Sequence, residues 1–173
     1  MSEILRPNST TESGGMGRSG CSNVHECIDE VTPDTNTYIY GSSSDHWQEA
    51  WVTLDNPTEV PGSGDVIMRL RYKINPVTYT AGQIYVYLMC GDTAVAYYYK
   101  SNGDDQWHDI SKTLTSEEKA LITDWDDLKL KIRIYRDKSP YSNACSTPRI
   151  SWVELEVPDP DPPMVGLELG CVA

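Results

Sequence analysis

Apolar and polar side chains alternate along several stretches of the chain, and the cleanest stretch lies between residues 66 and 74. Val66, Met68, Leu70, Tyr72 and Ile74 fall on one side of a period-two pattern, and Ile67, Arg69, Arg71 and Lys73 fall on the other. Successive side chains of a strand point to opposite faces, so this spacing predicts a strand with one apolar face and one mostly cationic face. Leu128, Leu130, Ile132 and Ile134 repeat the pattern against Lys129, Lys131 and Arg133. Ile84, Val86, Leu88 and Cys90 alternate with Tyr85, Tyr87 and Met89. Gly91-Asp92 then turns the chain into "TAVAYYYK", and the two runs read as a hairpin. Further strands are expected at about 36–40 and 47–54, in "QWHDISKTL", and in a final run "RISWVELEV". In that final run Ile150 and Trp152 compete with Val153, Leu155 and Val157 for the inner side, which leaves the inward face open and allows a β-bulge.

Only "TLTSEEKALITDWDDL" reads as helical. Thr115 and Glu118 have the spacing of a capping box, which predicts a short helix over about 115–123. About eight to ten strands with frequent turn signals and one short helix predict an all-β fold, an antiparallel β-sandwich of jelly-roll-like form. Composition divides the chain into three. Residues 1–28 read as an N-terminal arm, with "EILR" suited to a short first strand and a Ser/Thr/Gly-rich part, 7–23, that is flexible on its own. Residues 29–157 read as the sandwich domain. Residues 158–173 read as a Pro-rich C-terminal arm, stiffened in extended form by its prolines.

A length of 173 residues suits one domain with an ordinary core. The formal net charge of -12 repels phosphate backbones, so a nucleic-acid partner is not expected. No apolar run approaches the ~18 residues of a membrane span, and none follows the start as in a secretory signal, so neither a membrane partner nor export is expected. The five cysteines are Cys21, Cys27, Cys90, Cys145 and Cys171. An odd count argues against a full disulfide framework, and Cys90 reads as a small buried hydrophobe. Cys21, His25 and Cys27 superficially resemble metal ligands, but their spacing is not a zinc pattern; a Cys21–Cys27 bridge fits better.

Catalytic chemistry is sparse. No nucleophile elbow, phosphate-binding loop or dinucleotide fingerprint is present. His25, His46 and His108 are scattered without a partner motif. The acidic clusters Asp104-Asp105, Asp124 to Asp127, and Asp159 with Asp161 read as solvated loop carboxylates. The competing readings are a glycosidase pair facing across a groove and a calcium site. No catalytic residue, metal or cofactor is therefore expected.

Two outward-facing sets are candidates for binding. There is no Phe, but there are eleven Tyr and five Trp, so the aromatic load is amphipathic. Tyr85, Tyr87, Tyr97 and Tyr99 share an outer sheet face, with Trp47 and Trp51 on a neighbouring strand. Such rows can stack on sugar rings, pair across strands, or form an interface core. The second set is Arg69, Arg71, Lys73, Lys129, Lys131 and Arg133, which form a cationic docking stripe if their two strands are neighbours and an ordinary solvated face otherwise.

The segments "LRPNS", "IDEVTPDTNTYI", "LRYKI", "TLTSEEKALITDWDDLKLKI" and "ISWVELEVP" occur in that order. As a set, over about residues 4–158, they resemble a family of small β-sandwich structural proteins of tailed bacteriophages and related bacterial sequences. The resemblance implies a non-catalytic virion protein assembled in the host cytoplasm. The roles it points to are a capsid decoration or capsid-associated protein, with a tail component as a variant. It implies other virion proteins as partners, among them the major capsid or tail proteins, and a homo-oligomer. A carbohydrate-binding module that attaches to a host-surface glycan is the alternative. The chain departs from the family in its extra cysteines, in "HECIDE", and in the tail beyond Pro158. The tail is the expected anchor, through Pro160, Pro162, Met164, Val165, Leu167 and Leu169.

Overall fold

The computed structural model describes residues 2–43, 45–77, 81–138 and 145–162. Among the described residues, eleven strands form two antiparallel sheets packed face to face. They are β1 (Glu3–Leu5), β2 (Pro7–Glu12), β3 (Gly17–Ser19), β4 (Tyr38–Tyr40), β5 (Trp47–Leu54), β6 (Ile67–Ile74), β7 (Gln83–Cys90), β8 (Thr93–Ser101), β9 (His108–Thr113), β10 (Leu128–Tyr135) and β11 (Pro148–Val157). The first sheet runs β3-β4-β11-β6-β9, with β1 added against β11; the second runs β2-β5-β10-β7-β8. Strands close in sequence repeatedly fall in different sheets, which gives the jelly-roll-like winding expected from the pattern.

The period-two runs behave as physics requires. Met68, Leu70 and Ile74 of the first sheet meet Ile84, Leu88, Leu130 and Ile132 of the second in one core, all nearly inaccessible to water. Burying each such aliphatic side chain contributes roughly 1.5–3 kcal/mol. The β7–β8 hairpin closes on Gly91-Asp92, with Gly91 at φ 57° as the first position of a tight hairpin turn demands. The competition in the last strand is resolved by a register shift between Ile150 and Trp152, which lets Ile150, Val153, Leu155 and Val157 all face inward. The helix α1 (Ser116–Lys119) is a single turn, shorter than the expected 115–123, and carries the full Thr115–Glu118 capping box.

The N-terminal segment departs from expectation. Its Ser/Thr/Gly-rich part is not a free arm: β2 is an edge strand of the second sheet and β3 an edge strand of the first. Polar side chains do the pairing that apolar ones do elsewhere. Asn8 Nδ2 donates to the Leu54 carbonyl at 3.1 Å, and Thr11 Oγ1 donates to the Trp51 carbonyl at 3.2 Å. Leu5, Met16, Val24 and Ile28 plug into the core along the way. The chain crosses from β2 to β3 at Gly14, whose φ of 53° and contact with the Glu49 backbone leave no room for a Cβ. A Cys21–Cys27 disulfide closes the loop around the 3-10 turn His25–Cys27, as the spacing favoured. Cys90 is buried, as expected.

At the other end, the tail begins by packing against a loop. The Gly62 amide donates to the Asp159 carbonyl at 3.1 Å, and the Ser63 amide donates to Asp161 at 3.2 Å. Pro160 and Pro162 lie in this stretch, whereas Met164, Val165, Leu167 and Leu169 lie outside the described residues.

Candidate functional site

Strand register stacks the outward side chains of the second sheet into rows. One row runs Trp47, Tyr135, Gln83, Ser101; the next runs Glu49, Arg133, Tyr85, Tyr99; the third runs Trp51, Lys131, Tyr87, Tyr97. All six candidate aromatics therefore share one face, joined by Tyr135. From β5 to β8 the face spans three inter-strand steps, about 14 Å.

The rings hold one another. Tyr85 is the hub, 4.4 Å from Tyr99, 5.6 Å from Trp47, 5.7 Å from Tyr87 and 6.4 Å from Tyr97 between ring centroids. Tyr85 and Tyr87 are stacked almost parallel, at 9°. Such aromatic pairs, along β7 and across to its neighbours, fix ring orientation and contribute roughly 0.5–1.5 kcal/mol each beyond burial. The outermost rings stay open to water: Tyr97 is 54%, Tyr99 41% and Trp47 40% exposed. Desolvation among the neighbouring rings, followed by the Tyr99 phenol, raises the Tyr85 phenol above its usual range.

Charges are woven into the same rows. The Arg133 guanidinium lies 4.7 Å from the Trp47 ring centroid and Lys131 Nζ 4.8 Å from that of Trp51. Glu49 sits between them, 3.2 Å from Lys131 Nζ and 3.3 Å from Arg133 Nε, and accepts from Trp51 Nε1 at 2.9 Å. One carboxylate thus fixes both cations and one indole. The face offers oriented donors and acceptors among flat apolar rings, and Glu49 cancels one of its two cationic charges.

The second candidate set is corrected by the fold. Arg69, Arg71 and Lys73 lie on β6 in the first sheet, while Lys129, Lys131 and Arg133 lie on β10 in the second. The two strands present them on opposite outer faces, so no common cationic stripe forms. Each is also answered locally by an acid. Arg69 pairs with Glu154 and Glu156, Arg71 with Asp109, Lys73 with Asp105 and Lys129 with Asp127. Glu154 is the deepest partner, its side chain 8% exposed between Arg6 and Arg69.

The remaining candidates are local in character. His25 Nδ1 meets Thr10 Oγ1 at 2.9 Å, His108 Nε2 meets Asp104 at 2.7 Å, and His46 turns back on the Asp45 carbonyl. Asp124 and Asp126 line a cleft of about 530 Å³ with Glu59. Among the described residues, no three His, Cys, Asp or Glu side chains gather closely enough to hold a metal. Sequence reasoning missed Glu49 and Tyr135. Both were within reach, since Glu49 alternates between Trp47 and Trp51, and Tyr135 continues the outward series after Arg133.

No family model matches the chain, and no curated protein matches it in sequence. Several solved structures are similar in fold. A xylan-binding module, CBM15, aligns with a TM-score of 0.44 at 8% identity, covering 93% of this chain and 100% of its own. TmCBM61, solved in complex with β-1,4-galactotriose, aligns with a TM-score of 0.40 at 7% identity, over 70% of this chain and 71% of its own. The Stig cyclase Fisc from Fischerella sp. TAU aligns with a TM-score of 0.40 at 16% identity, over 93% of this chain and 77% of its own. The likeness in each case is one of fold alone, and the ligands named are those proteins' own.

Proposed function

We propose that this protein is a non-catalytic module that binds a glycan chain across the Trp/Tyr face of its second sheet. The observation that carries the reading is the register itself. It places Trp47, Trp51, Tyr85, Tyr87, Tyr97, Tyr99 and Tyr135 on one face and leaves three of these rings substantially open to solvent. The C–H faces of a pyranose ring can cover such rings, while its hydroxyls reach Glu49, Arg133, Lys131 and the tyrosine hydroxyls. Glu49 engages both Lys131 and Arg133 and leaves a single net positive charge among the three, which suits a neutral glycan better than a polyanion. Because it is a sheet surface, it suits internal units of a chain rather than a chain end.

Retardation in native gels containing neutral soluble polysaccharides tests the reading. At least one polysaccharide should slow the protein, and Trp47→Ala or Tyr99→Ala should abolish the effect. Unchanged migration across the panel, or retardation that survives both substitutions, would sink it.

The virion setting implied by the sequence resemblance is a second proposal, favoured by the ordered set of motifs over about residues 4–158. Mass spectrometry of purified particles tests it. Many copies per particle support a decoration role and a few copies support a tail role, whereas absence from particles overturns it. A glycan-binding face on a virion protein would make the two proposals one.

A further inference from the structure

Seven arginines occur in the chain. Four of them, Arg6, Arg69, Arg71 and Arg133, sit against carboxylates. The other three, Arg18, Arg136 and Arg149, have no carboxylate partner among the described residues, and all three line a single cavity at the β3–β4–β11 end of the first sheet. Acidic residues outnumber basic ones 26 to 14, so partners are plentiful elsewhere on the surface. Concentrating the unanswered guanidinium groups in one hollow carries a repulsive cost that an anion relieves. We propose that this cavity is a binding site for the oxyanion group of a small ligand: a carboxylate, sulfate or phosphate.

Local structure holds the guanidinium groups in place. Arg149 is in register with Tyr40 on β4, and its guanidinium lies 5.2 Å from the Tyr38 ring centroid. Stacking on an aromatic face leaves the planar N–H fork free to point at a ligand. Arg136 donates one Nη1 bond to the Ser42 carbonyl at 3.0 Å, while its Nε is buried without an acceptor. Arg18 reaches in from the exposed edge strand β3.

The wall of the cavity is also specified. Gly17 is opposite Tyr40, and a Cβ there would stand 2.3 Å from the Tyr40 ring. Glycine therefore lets the ring lie flat over β3. Among the described residues neither Tyr38 nor Tyr40 has a hydroxyl partner, so both phenols are available as donors. The volume is about 190 Å³, below the ~300 Å³ at which drug-sized pockets begin. A free oxyanion or one charged ring fits this space. Guanidinium forks match carboxylate, sulfate and phosphate oxygens two at a time, which lysines do not.

The site is separate from the Trp/Tyr face. Titration of the full chain at low ionic strength with sodium sulfate, sodium phosphate and sodium glucuronate, each matched against sodium chloride, tests it by backbone amide shifts. Saturable shifts centred on Arg18, Tyr40 and Arg149 are expected for at least one probe. A stronger response to glucuronate than to the inorganic ions identifies a charged sugar as the source; the reverse order identifies a free anion. Arg18→Ala, which alters an exposed edge position, and Arg149→Lys, which keeps the charge but loses the fork, should each weaken binding about tenfold. Lys100→Ala should leave it unchanged. Absence of saturation with all three probes, or equal losses in Lys100→Ala and the arginine variants, overturns the proposal. Arg149→Lys should not alter retardation by neutral polysaccharide, and Trp47→Ala should not alter anion binding, so either proposal can fail without the other.

Discussion

Tyr97→Ala separates a ring kept for binding from a ring kept for packing. Tyr97 is 54% exposed and touches Tyr87 at 5.7 Å, Tyr85 at 6.4 Å and Lys112 Nζ at 5.7 Å from its ring centroid. Contacts at the solvent edge sit at the low end of the aromatic range, so the loss of stability should be about 1 kcal/mol. Tyr85→Ala removes the hub, with four ring partners between 4.4 and 6.4 Å, and should cost about 2–3 kcal/mol by the same scale. Urea denaturation measures both. Affinity should rank differently. Tyr97 presents the most open ring of the face, and its loss should weaken glycan binding at least tenfold, or about 1.4 kcal/mol. Calorimetric titration of the glycan found by gel retardation reads that loss. If Tyr97→Ala costs as much stability as Tyr85→Ala while affinity is unchanged, the tyrosine rows serve the sheet and the binding argument fails.

Further predictions concern the frame that carries the face. The Glu30 carboxyl, desolvated and facing Asp34 and Asp29, is pushed up from 4.5 to about 7. The folded state then holds a proton that the unfolded state has released, so the stability this group contributes is present below about pH 4.5 and lost as pH rises through 7. Glu30→Gln keeps the acceptor that the Thr37 hydroxyl uses and should gain melting temperature relative to the parent at pH 8 but not at pH 4; an equal offset at both pH values contradicts this. Glu154→Ala strips the shared partner from Arg6 and Arg69 and should cost about 2 kcal/mol in urea denaturation, since it leaves Arg6 without a carboxylate in a half-buried site while Arg69 keeps Glu156. A loss below about 1 kcal/mol would show that the pairs are screened like ordinary surface pairs. Removing the Cys21–Cys27 bridge by Cys21→Ser together with Cys27→Ser should cost about 2 kcal/mol, the chain-entropy value for so short a loop, and a null effect would locate its role elsewhere.

The strands legible in the sequence were those whose inward and outward sides differ in polarity. β6, β7 and β10 alternate cleanly because each has one face in the core, and the same alternation revealed the Tyr and Trp positions of the candidate face. β2 and β3 were not legible. Their residues are small and polar, they occupy sheet edges, and they are held by side-chain bonds such as Thr11 to the Trp51 carbonyl. The cationic stripe failed for a different reason. Local pattern gives the outward side of a strand but not its neighbour, and β6 and β10 fall in different sheets. The arginine cavity had no local signal, because Arg18 on β3, Arg136 just past β10 and Arg149 on β11 come from three distant segments of the chain.

The most direct measurement is a map of backbone amide shifts on adding an oligosaccharide of the retained polysaccharide. Shifts should cluster along β5, β10, β7 and β8, at and beside Trp47, Trp51, Tyr85, Tyr87, Tyr97 and Tyr99, and leave the first sheet quiet. Shifts confined to the first sheet or to the loops, with the Trp/Tyr face unmoved, would contradict the account.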